Sequence, residues 1–215
     1  MSKPVPEARP AFAGVIPCAG ASVRMGRPKA LLRVGGVTFL GRAVHSLLEG
    51  GCAPVVVVLA GGDAAGTREA EAAGAQVLIN PNPGEGPITS LRLALAAVGR
   101  DAAGLVVLPV DHPLVRADTV VALIAAAHAA GADLTLPVHG SERGHPAVFG
   151  AALFAELADP ALEGGARTVT YRHLEGALLV EVDDAGVLTD IDTPEIYESV
   201  LAAQAGGPGS GGAHP

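Results

Sequence analysis

The chain has 215 residues and a formal net charge of −8, so it has no basic footprint for nucleic acid, and its aromatic content of 3% argues against stacking platforms for single strands. Apolar residues make up 49% of the chain, enough to fill one α/β domain, but no apolar run is long enough to cross a bilayer. Its two cysteines show neither a disulfide framework nor zinc spacing, and no signal peptide is visible. We therefore expect a cytoplasmic protein with no nucleic-acid partner and no membrane partner.

The two ends of the chain have compositions typical of disorder. Residues 1–10 are rich in proline and charge, and residues 205–215 form a tail of Gly, Pro and Ser that cannot bury apolar surface. We therefore expect a single domain over residues 11–204, flanked by two disordered segments.

Between these ends, apolar strand-like runs alternate with stretches rich in Ala and Leu. The strands are predicted at residues 12–16, 55–59, 76–79, 105–109, 133–137, 146–149 and 178–182. The helices are predicted at residues 40–50, 63–74, 88–98, 118–130, 151–158 and 194–203. The run 55–59 is uniformly apolar, as expected for a strand that is covered on both faces. The alternation predicts an α/β fold, a three-layer αβα sandwich around a mostly parallel sheet.

Ligands of such sheets bind beyond the carboxyl ends of the strands, and the loop after the first strand combines small residues with cations. Close backbone amides, a guanidinium and an ammonium group are what a triphosphate requires, although a flexible turn with solvated cations is the alternative. A Walker loop does not fit, because Gly26 is followed by Arg27-Pro28-Lys29, and the three glycines of a dinucleotide fingerprint are missing. The residues assigned to the nucleotide here are Ala19, Gly20, Ala21, Ser22, Arg24 and Lys29.

Three carboxylates are candidates for holding Mg²⁺. Asp111 follows the fourth strand, where it can face a triphosphate, although a turn aspartate is the alternative. Asp190 and Asp192 alternate along an extended segment, and we expect them to face opposite ways, so that only one reaches the metal. Capping of the last helix is the alternative role of Asp192 and Thr193. Two carboxylates from distant parts of the chain suit Mg²⁺, which completes its shell with water and phosphate oxygens.

The loop after the first strand resembles the signature loop of the MobA-like nucleotidyltransferase superfamily. The positions that match in order are Gly20, Ser22, Arg24, Met25, Gly26 and Lys29, whereas Pro17-Cys18 replaces the usual Leu-Ala. The resemblance continues through residues 31–40, which are similar to a short hairpin of the family, through Asp111 with Val110 before it, and through residues 190–195. It implies a Rossmann-like nucleotidyltransferase fold of GT-A type. It also implies catalytic roles for Arg24, Lys29 and Asp111, and a Mg²⁺ site of Asp111 with Asp192 first and Asp190 second.

Three shorter segments resemble the molybdenum cofactor cytidylyltransferase branch of this superfamily. Residues 80–95 imply contacts of Gly86, Ser90 and Arg92 with the nucleoside, although a loop feeding a helix is an equal alternative for Arg92. Residues 142–149 and 163–168 imply that the acceptor is bound by Arg143, His145 and Arg167. Ala19 stands where the guanylyltransferase branch tends to carry glycine, which favours CTP over GTP.

The reaction that this resemblance implies is transfer of a nucleoside monophosphate from an NTP to a phosphorylated acceptor, with molybdopterin favoured. An ionised phosphate needs no general base, and the sequence shows no Ser-His-Asp or Cys-His arrangement. The partners expected are the NTP, the acceptor and a molybdoenzyme or its maturation factor. The alternatives are a guanylyltransferase, a sugar-1-phosphate nucleotidyltransferase, or a module that binds nucleotide and delivers cofactor without turnover.

Overall fold

A computed structural model describes residues 11–20, 25–99 and 102–205. The expectations for residues 1–10 and 206–215 lie outside the described residues, as do the roles assigned to Ala21, Ser22 and Arg24.

Ten strands and seven α-helices lie in the described ranges. The strands are β1 (Phe12–Cys18), β2 (Arg33–Val34), β3 (Val37–Thr38), β4 (Val55–Ala60), β5 (Gln76–Asn80), β6 (Gly104–Val107), β7 (Leu134–His139), β8 (Glu142–Arg143), β9 (Ala147–Gly150) and β10 (Leu178–Glu181). The helices are α1 (Phe39–Glu49), α2 (Ala64–Ala72), α3 (Pro87–Val98), α4 (Ala117–Ala130), α5 (Phe154–Ala158), α6 (Gly165–Arg172) and α7 (Pro194–Ala205). Within this part of the chain, no helix has both the length and the apolarity needed to cross a membrane.

The main sheet has the strand order β10-β7-β9-β6-β1-β4-β5, with β8 paired to β7. Strand β1 pairs in parallel with β4 and β6, β4 pairs in parallel with β5, and β10 pairs in parallel with β7. Strand β9 runs antiparallel to both of its neighbours, β6 and β7. The predicted α/β fold with a mostly parallel sheet is confirmed.

The core lies on both faces of this sheet, as the uniform run of β4 predicts. Val57 and Leu59 pack into one apolar cluster with residues of α1 and α4, whereas Val56 and Val58 pack into a second cluster with residues of α3 and α6. Successive side chains of a strand point to opposite faces, so a strand that is buried on both faces is apolar at every position. Helices therefore cover the sheet on both sides, which gives the three predicted layers.

Helix α6 is the main element that the sequence did not predict. Three consecutive β-branched residues, Thr168, Val169 and Thr170, lower its helix propensity, and Gly164 and Gly165 before them adopt positive φ angles of 72° and 65°. The helix is stabilised by packing, because Val169 is fully buried in the second apolar cluster. Tertiary contact thus overrides local preference here.

The sheet order decides which loops can form a site. The parallel strands β1, β4, β5 and β6 end at the same edge, so the segments that follow β1, β5 and β6 meet there. Because β9 runs in the opposite direction beside β6, it is the beginning of β9 that lies at this edge. His145, two residues before β9, is thereby brought to the same place as the loop after β6.

Candidate active site

A cleft of about 330 Å³ opens at the carboxyl edge of the sheet, between the segments that follow β1, β5 and β6. Its lining includes Ala19, Gly20, Gly86, Ser90 and Asp111. The structure thus brings together four of the predicted nucleotide-binding residues and the predicted metal-binding aspartate. Gly86 has a φ of 95°, in the region that favours glycine, and it leads directly into α3.

A partly buried ion pair lies beside this cleft. Lys29 begins a short 3-10 turn and is 9% exposed, and its Nζ donates a hydrogen bond of 3.2 Å to Oδ2 of Asp111. A buried ammonium group needs an anionic partner, so the pairing holds the cation next to the cleft. Arg27 is directed elsewhere, since its guanidinium lies 5.3 Å from the ring centroid of Tyr197 in α7.

Asp111, His112 and Asp190 form a cluster of possible metal ligands. One ligand atom from each residue lies within 4.8 Å of the other two. The segment that carries Asp190 is held there by a hydrogen bond of 2.8 Å from the amide of Ile191 to the carbonyl of Asp111. Burial raises the pKa of Asp190, and the charges of Asp111 and Asp192 raise it further. A cation would relieve the repulsion between these carboxylates.

The expectation that Asp190 and Asp192 face opposite ways does not hold. In an extended segment residues two apart share a face, and the side chain between them, Ile191, is fully buried in the core. Asp192 is 8% exposed and lies near enough to raise the pKa of Asp190. Asp190 is the member of this pair that joins the ligand cluster, although the sequence placed Asp192 first.

Two histidine rings lie against each other beside the carboxylates. The rings of His112 and His145 have centroids 4.6 Å apart and are tilted by 54°. Burial lowers the pKa of both side chains, that of His145 to about 4, so both rings are neutral at pH 7. The Nδ1 atoms of both rings are buried and have no hydrogen-bond partner among the described residues. His112 was not among the predicted site residues, although its position directly after Asp111 was a signal that could have found it.

The three predicted acceptor-binding residues, Arg143, His145 and Arg167, line a second cavity of about 420 Å³. Tyr171, one turn after Arg167 in α6, completes this wall: the guanidinium of Arg167 lies 5.4 Å from its ring centroid and donates a 3.3 Å hydrogen bond to its hydroxyl. We call the first cleft the nucleotide cleft and the second cavity the acceptor cavity, after the predicted residues that line them. A third cavity, of about 500 Å³, shares Gly86 with the nucleotide cleft and Arg167 with the acceptor cavity. The predicted nucleotide and acceptor residues therefore line adjoining cavities.

Arg92 lies away from these cavities. Its Nη2 donates a hydrogen bond of 2.5 Å to the carbonyl of Asp159, and it lines a groove between α3 and α5. The structure thus favours the role of a helix residue over nucleoside binding for Arg92.

Asn80 organises the loop that forms one wall of the nucleotide cleft. It is 1% exposed at the end of β5, and its Nδ2 donates hydrogen bonds of 2.8 Å and 3.0 Å to the hydroxyls of Thr89 and Ser90. Its Oδ1 accepts a 2.9 Å hydrogen bond from the amide of Asn82. The hydroxyl of Thr89 donates in turn to the carbonyl of Gly86 at 2.8 Å. One buried side chain therefore ties the loop to the first turn of α3.

We expect Asn80→Ala to loosen this wall. The change leaves buried partners without their hydrogen bonds, which should cost about 1–3 kcal/mol of unfolding free energy. The KM for NTP should rise more than kcat falls if the nucleotide binds in this cleft as predicted, because Gly86 and Ser90 line the cleft. Denaturant unfolding and steady-state kinetics measure the two effects. The control is Asn82→Ala, at an exposed side chain, and equal effects of the two substitutions would contradict the role of Asn80.

Comparison with known proteins identifies the class to which this site belongs. Residues 14–177 match the model of the MobA-like NTP transferase domain, so the chain belongs to this family and is a nucleotidyltransferase. The resemblance found in the loop after β1 is thereby confirmed.

The chain is similar to proteins of more than one chemistry. It is 31% identical over 194 residues to nicotine blue oxidoreductase from Paenarthrobacter nicotinovorans, covering 86% of this chain and 94% of that protein. It is 30% identical over 196 residues to a probable molybdenum cofactor guanylyltransferase from Mycobacterium tuberculosis, covering 90% and 94%. Since these relatives are named for different reactions, the substrates have to be argued from the site.

Solved structures match along almost the whole chain. Rv0371c from Mycobacterium tuberculosis H37Rv has a TM-score of 0.78 and 27% identity, covering 91% of this chain and all 100% of that one. A manganese complex of the same protein has a TM-score of 0.71 and 26% identity, covering 90% and 99%. The fold is therefore that of nucleotidyltransferases, and the acidic cluster at Asp111 is a candidate site for a divalent metal.

Proposed function

We propose that this enzyme transfers a nucleoside monophosphate, with CMP from CTP favoured, to a phosphorylated small molecule of the molybdopterin type and releases pyrophosphate. The observation that carries the proposal is the nucleotide cleft between Gly20 and Gly86, which opens directly beside the Lys29–Asp111 pair and Asp190. We take residues 11–204 as the catalytic unit.

The residues beside the cleft fit Mg²⁺ and a triphosphate. Asp111 and Asp190 offer carboxylate oxygens, the ligands that Mg²⁺ prefers, and Asp192 lies next to them. When bound, Mg²⁺ supplies positive charge against the phosphate oxygens. Lys29 neutralises charge that grows on the leaving pyrophosphate, and we assign Arg24 to the same task from the resemblance of its loop.

The acceptor cavity has the charge and shape for a phosphorylated ring compound. Arg143 and Arg167 supply two guanidinium groups, which bind phosphate oxygens in pairs, and Tyr171 supplies an aromatic face. The neutral ring of His145 connects this cavity to the carboxylate cluster through its contact with His112. An ionised acceptor phosphate attacks without a general base, so the residues have only to align it with the α-phosphorus.

We predict that CTP raises the melting temperature more than GTP at equal concentration in the presence of Mg²⁺. A ligand that binds only the native state stabilises it by mass action, so the larger shift marks the tighter nucleotide. Ala19 lines the cleft, and a glycine at this position would leave more room for a purine. Thermal unfolding with each nucleotide measures the difference, and a larger shift with GTP would move the chain to the guanylyltransferase branch.

Pyrophosphate release, measured with each of the four NTPs against molybdopterin and a panel of sugar phosphates, tests the reaction itself. Release with CTP and molybdopterin supports the proposal, whereas release with a sugar phosphate alone would change the acceptor. NTP binding without release from any acceptor would indicate a non-catalytic delivery module. Because one relative is an oxidoreductase, redox activity with reduced nicotinamide cofactors is measured in parallel, and such activity without nucleotidyl transfer would overturn the proposal.

A further inference from the structure

His112 occupies an unusual place for a residue outside the predicted machinery. One of its ring nitrogens lies within 4.8 Å of a carboxylate oxygen of Asp111 and of Asp190. Two ligand atoms that are each about 2.1–2.2 Å from a common ion are at most about 4.4 Å apart. Neighbouring ligands of one ion lie closer together than this, so the three side chains would have to draw together for their atoms to meet on one ion.

The ring of His112 also lacks a complete set of partners. The residue is 7% exposed, and its buried Nδ1 has no hydrogen-bond partner among the described residues, while the ring interacts with the backbone of Gly186. His145 does not supply the missing partner, because the Nδ1 atoms of both rings remain without one although the ring centroids are only 4.6 Å apart. An unpaired buried polar atom destabilises the fold, and a cation bound at this atom would remove that cost.

We propose that His112 is a direct nitrogen ligand of the metal held by Asp111 and Asp190, and that the site therefore binds Mn²⁺ more tightly than Mg²⁺. This inference rests on the metal site of the proposed function, and Mg²⁺ still supports the reaction through the two carboxylates. It adds a ligand and a metal preference that the two carboxylates alone do not provide.

The chemistry of the donor set supports this preference. An imidazole nitrogen that bears no proton carries a free lone pair for a metal, and a metal-bound histidine commonly uses its other ring nitrogen on a backbone carbonyl. Mg²⁺ prefers oxygen ligands, and a nitrogen ligand adds little to its affinity. Mn²⁺ also binds carboxylates, although its affinity for a given site is lower than that of the later first-row metals. The site offers two oxygen ligands and one nitrogen ligand and leaves coordination positions for phosphate. This set suits Mn²⁺ better than it suits a metal that prefers thiolate ligands or several histidines.

The test uses Mn²⁺ with the full chain and no nucleotide. Electron spin echo modulation of bound Mn²⁺ should show coupling to an imidazole nitrogen, and competition should show a Kd for Mn²⁺ at least about tenfold below that for Mg²⁺. His112→Asn should remove the nitrogen coupling and weaken Mn²⁺ at least about tenfold, while Mg²⁺ weakens less than about threefold. His128→Asn, at an exposed histidine of α4, is the matched control and should change neither measurement.

Two results would overturn the inference. The first is wild-type Mn²⁺ without nitrogen coupling, a measurement that stands even where a His112 variant fails to fold. The second is a coupling that survives in His112→Asn but disappears in His145→Asn, which would make His145 the ligand. The Mn²⁺ experiment contains no nucleotide, so its outcome is independent of whether the enzyme transfers CMP from CTP. A failure of CTP transfer would leave the inference intact, and transfer with Mg²⁺ would not support it if the nitrogen coupling is absent.

Discussion

Replacing Asp111 by Asn should lower nucleotidyl transfer by at least about a hundredfold, the usual effect of removing one group that stabilises transition-state charge. The substitution keeps the shape of the side chain and removes its negative charge, which the metal and Lys29 both need. The fold should persist, because the side chain is partly exposed, at 27%, and the carbonyl of Asp111 still accepts from the amide of Ile191. Pyrophosphate release and the melting temperature measure the two effects.

Asp118→Asn is the matched control for this experiment. Asp118 lies exposed in the first turn of α4, and its replacement removes the same charge away from the cleft. We expect transfer by this variant to stay at the wild-type rate. Metal-dependent transfer by Asp111→Asn at the wild-type rate would remove Asp111 from the metal site.

Lys29→Ala should lower kcat at least about tenfold, equivalent to about 1.4 kcal/mol of barrier, and should change the affinity for NTP less. The ammonium group of Lys29 lies at the cleft through its pairing with Asp111, so it can meet charge that develops on pyrophosphate. An interaction that strengthens in the transition state affects kcat more than substrate binding. Rapid-quench turnover and equilibrium binding of NTP measure the two quantities separately.

Two further variants, Lys29→Arg and Arg68→Ala, are the controls for this experiment. The first keeps a cation at the site and should recover part of the turnover rate, whereas the second removes an exposed cation from α2 and should leave the rate unchanged. A collapse of NTP affinity with an unchanged kcat would make Lys29 a ground-state clamp. A binding module would lose affinity and have no turnover to lose.

The predictable parts of the fold are those with a clear local pattern. Each of the seven predicted strands corresponds to a long strand of the sheet, and the six predicted helices all appear, because uniform apolar runs and Ala-rich stretches have distinct periods and compositions. The two-residue strands β2, β3 and β8 are too short to show a period, although the β2–β3 hairpin was expected from the family resemblance. Helix α6 was not predicted, because a sequence of low helix propensity is stabilised there by the burial of Val169, which is a tertiary contact.

The candidate site divides in the same way. The rule that ligands bind at the carboxyl ends of parallel strands pointed to the loop with Lys29 and to the position of Asp111, and the family resemblance favoured a metal ligand over a turn aspartate there. Family resemblance added Arg143, His145 and Arg167, which line one cavity in the structure. Sequence patterns carried no signal that Asn80 anchors the cleft wall, since this depends on contacts with residues of another element. The contact of Tyr171 with Arg167 is one helical turn in length, and it was missed because helix α6 itself was not predicted.

By itself, the sequence determined the alternation of strands and helices, the strand buried on both faces and a loop composition typical of a nucleotide site. These features depend on residues close together in the chain, where periodicity and composition act directly. Only the tertiary structure decided that β9 enters the sheet antiparallel beside β6, which places His145 against His112, and that Asp190 joins Asp111. Strand order is set by which buried surfaces pack together across distant parts of the chain, and no local pattern encodes that choice.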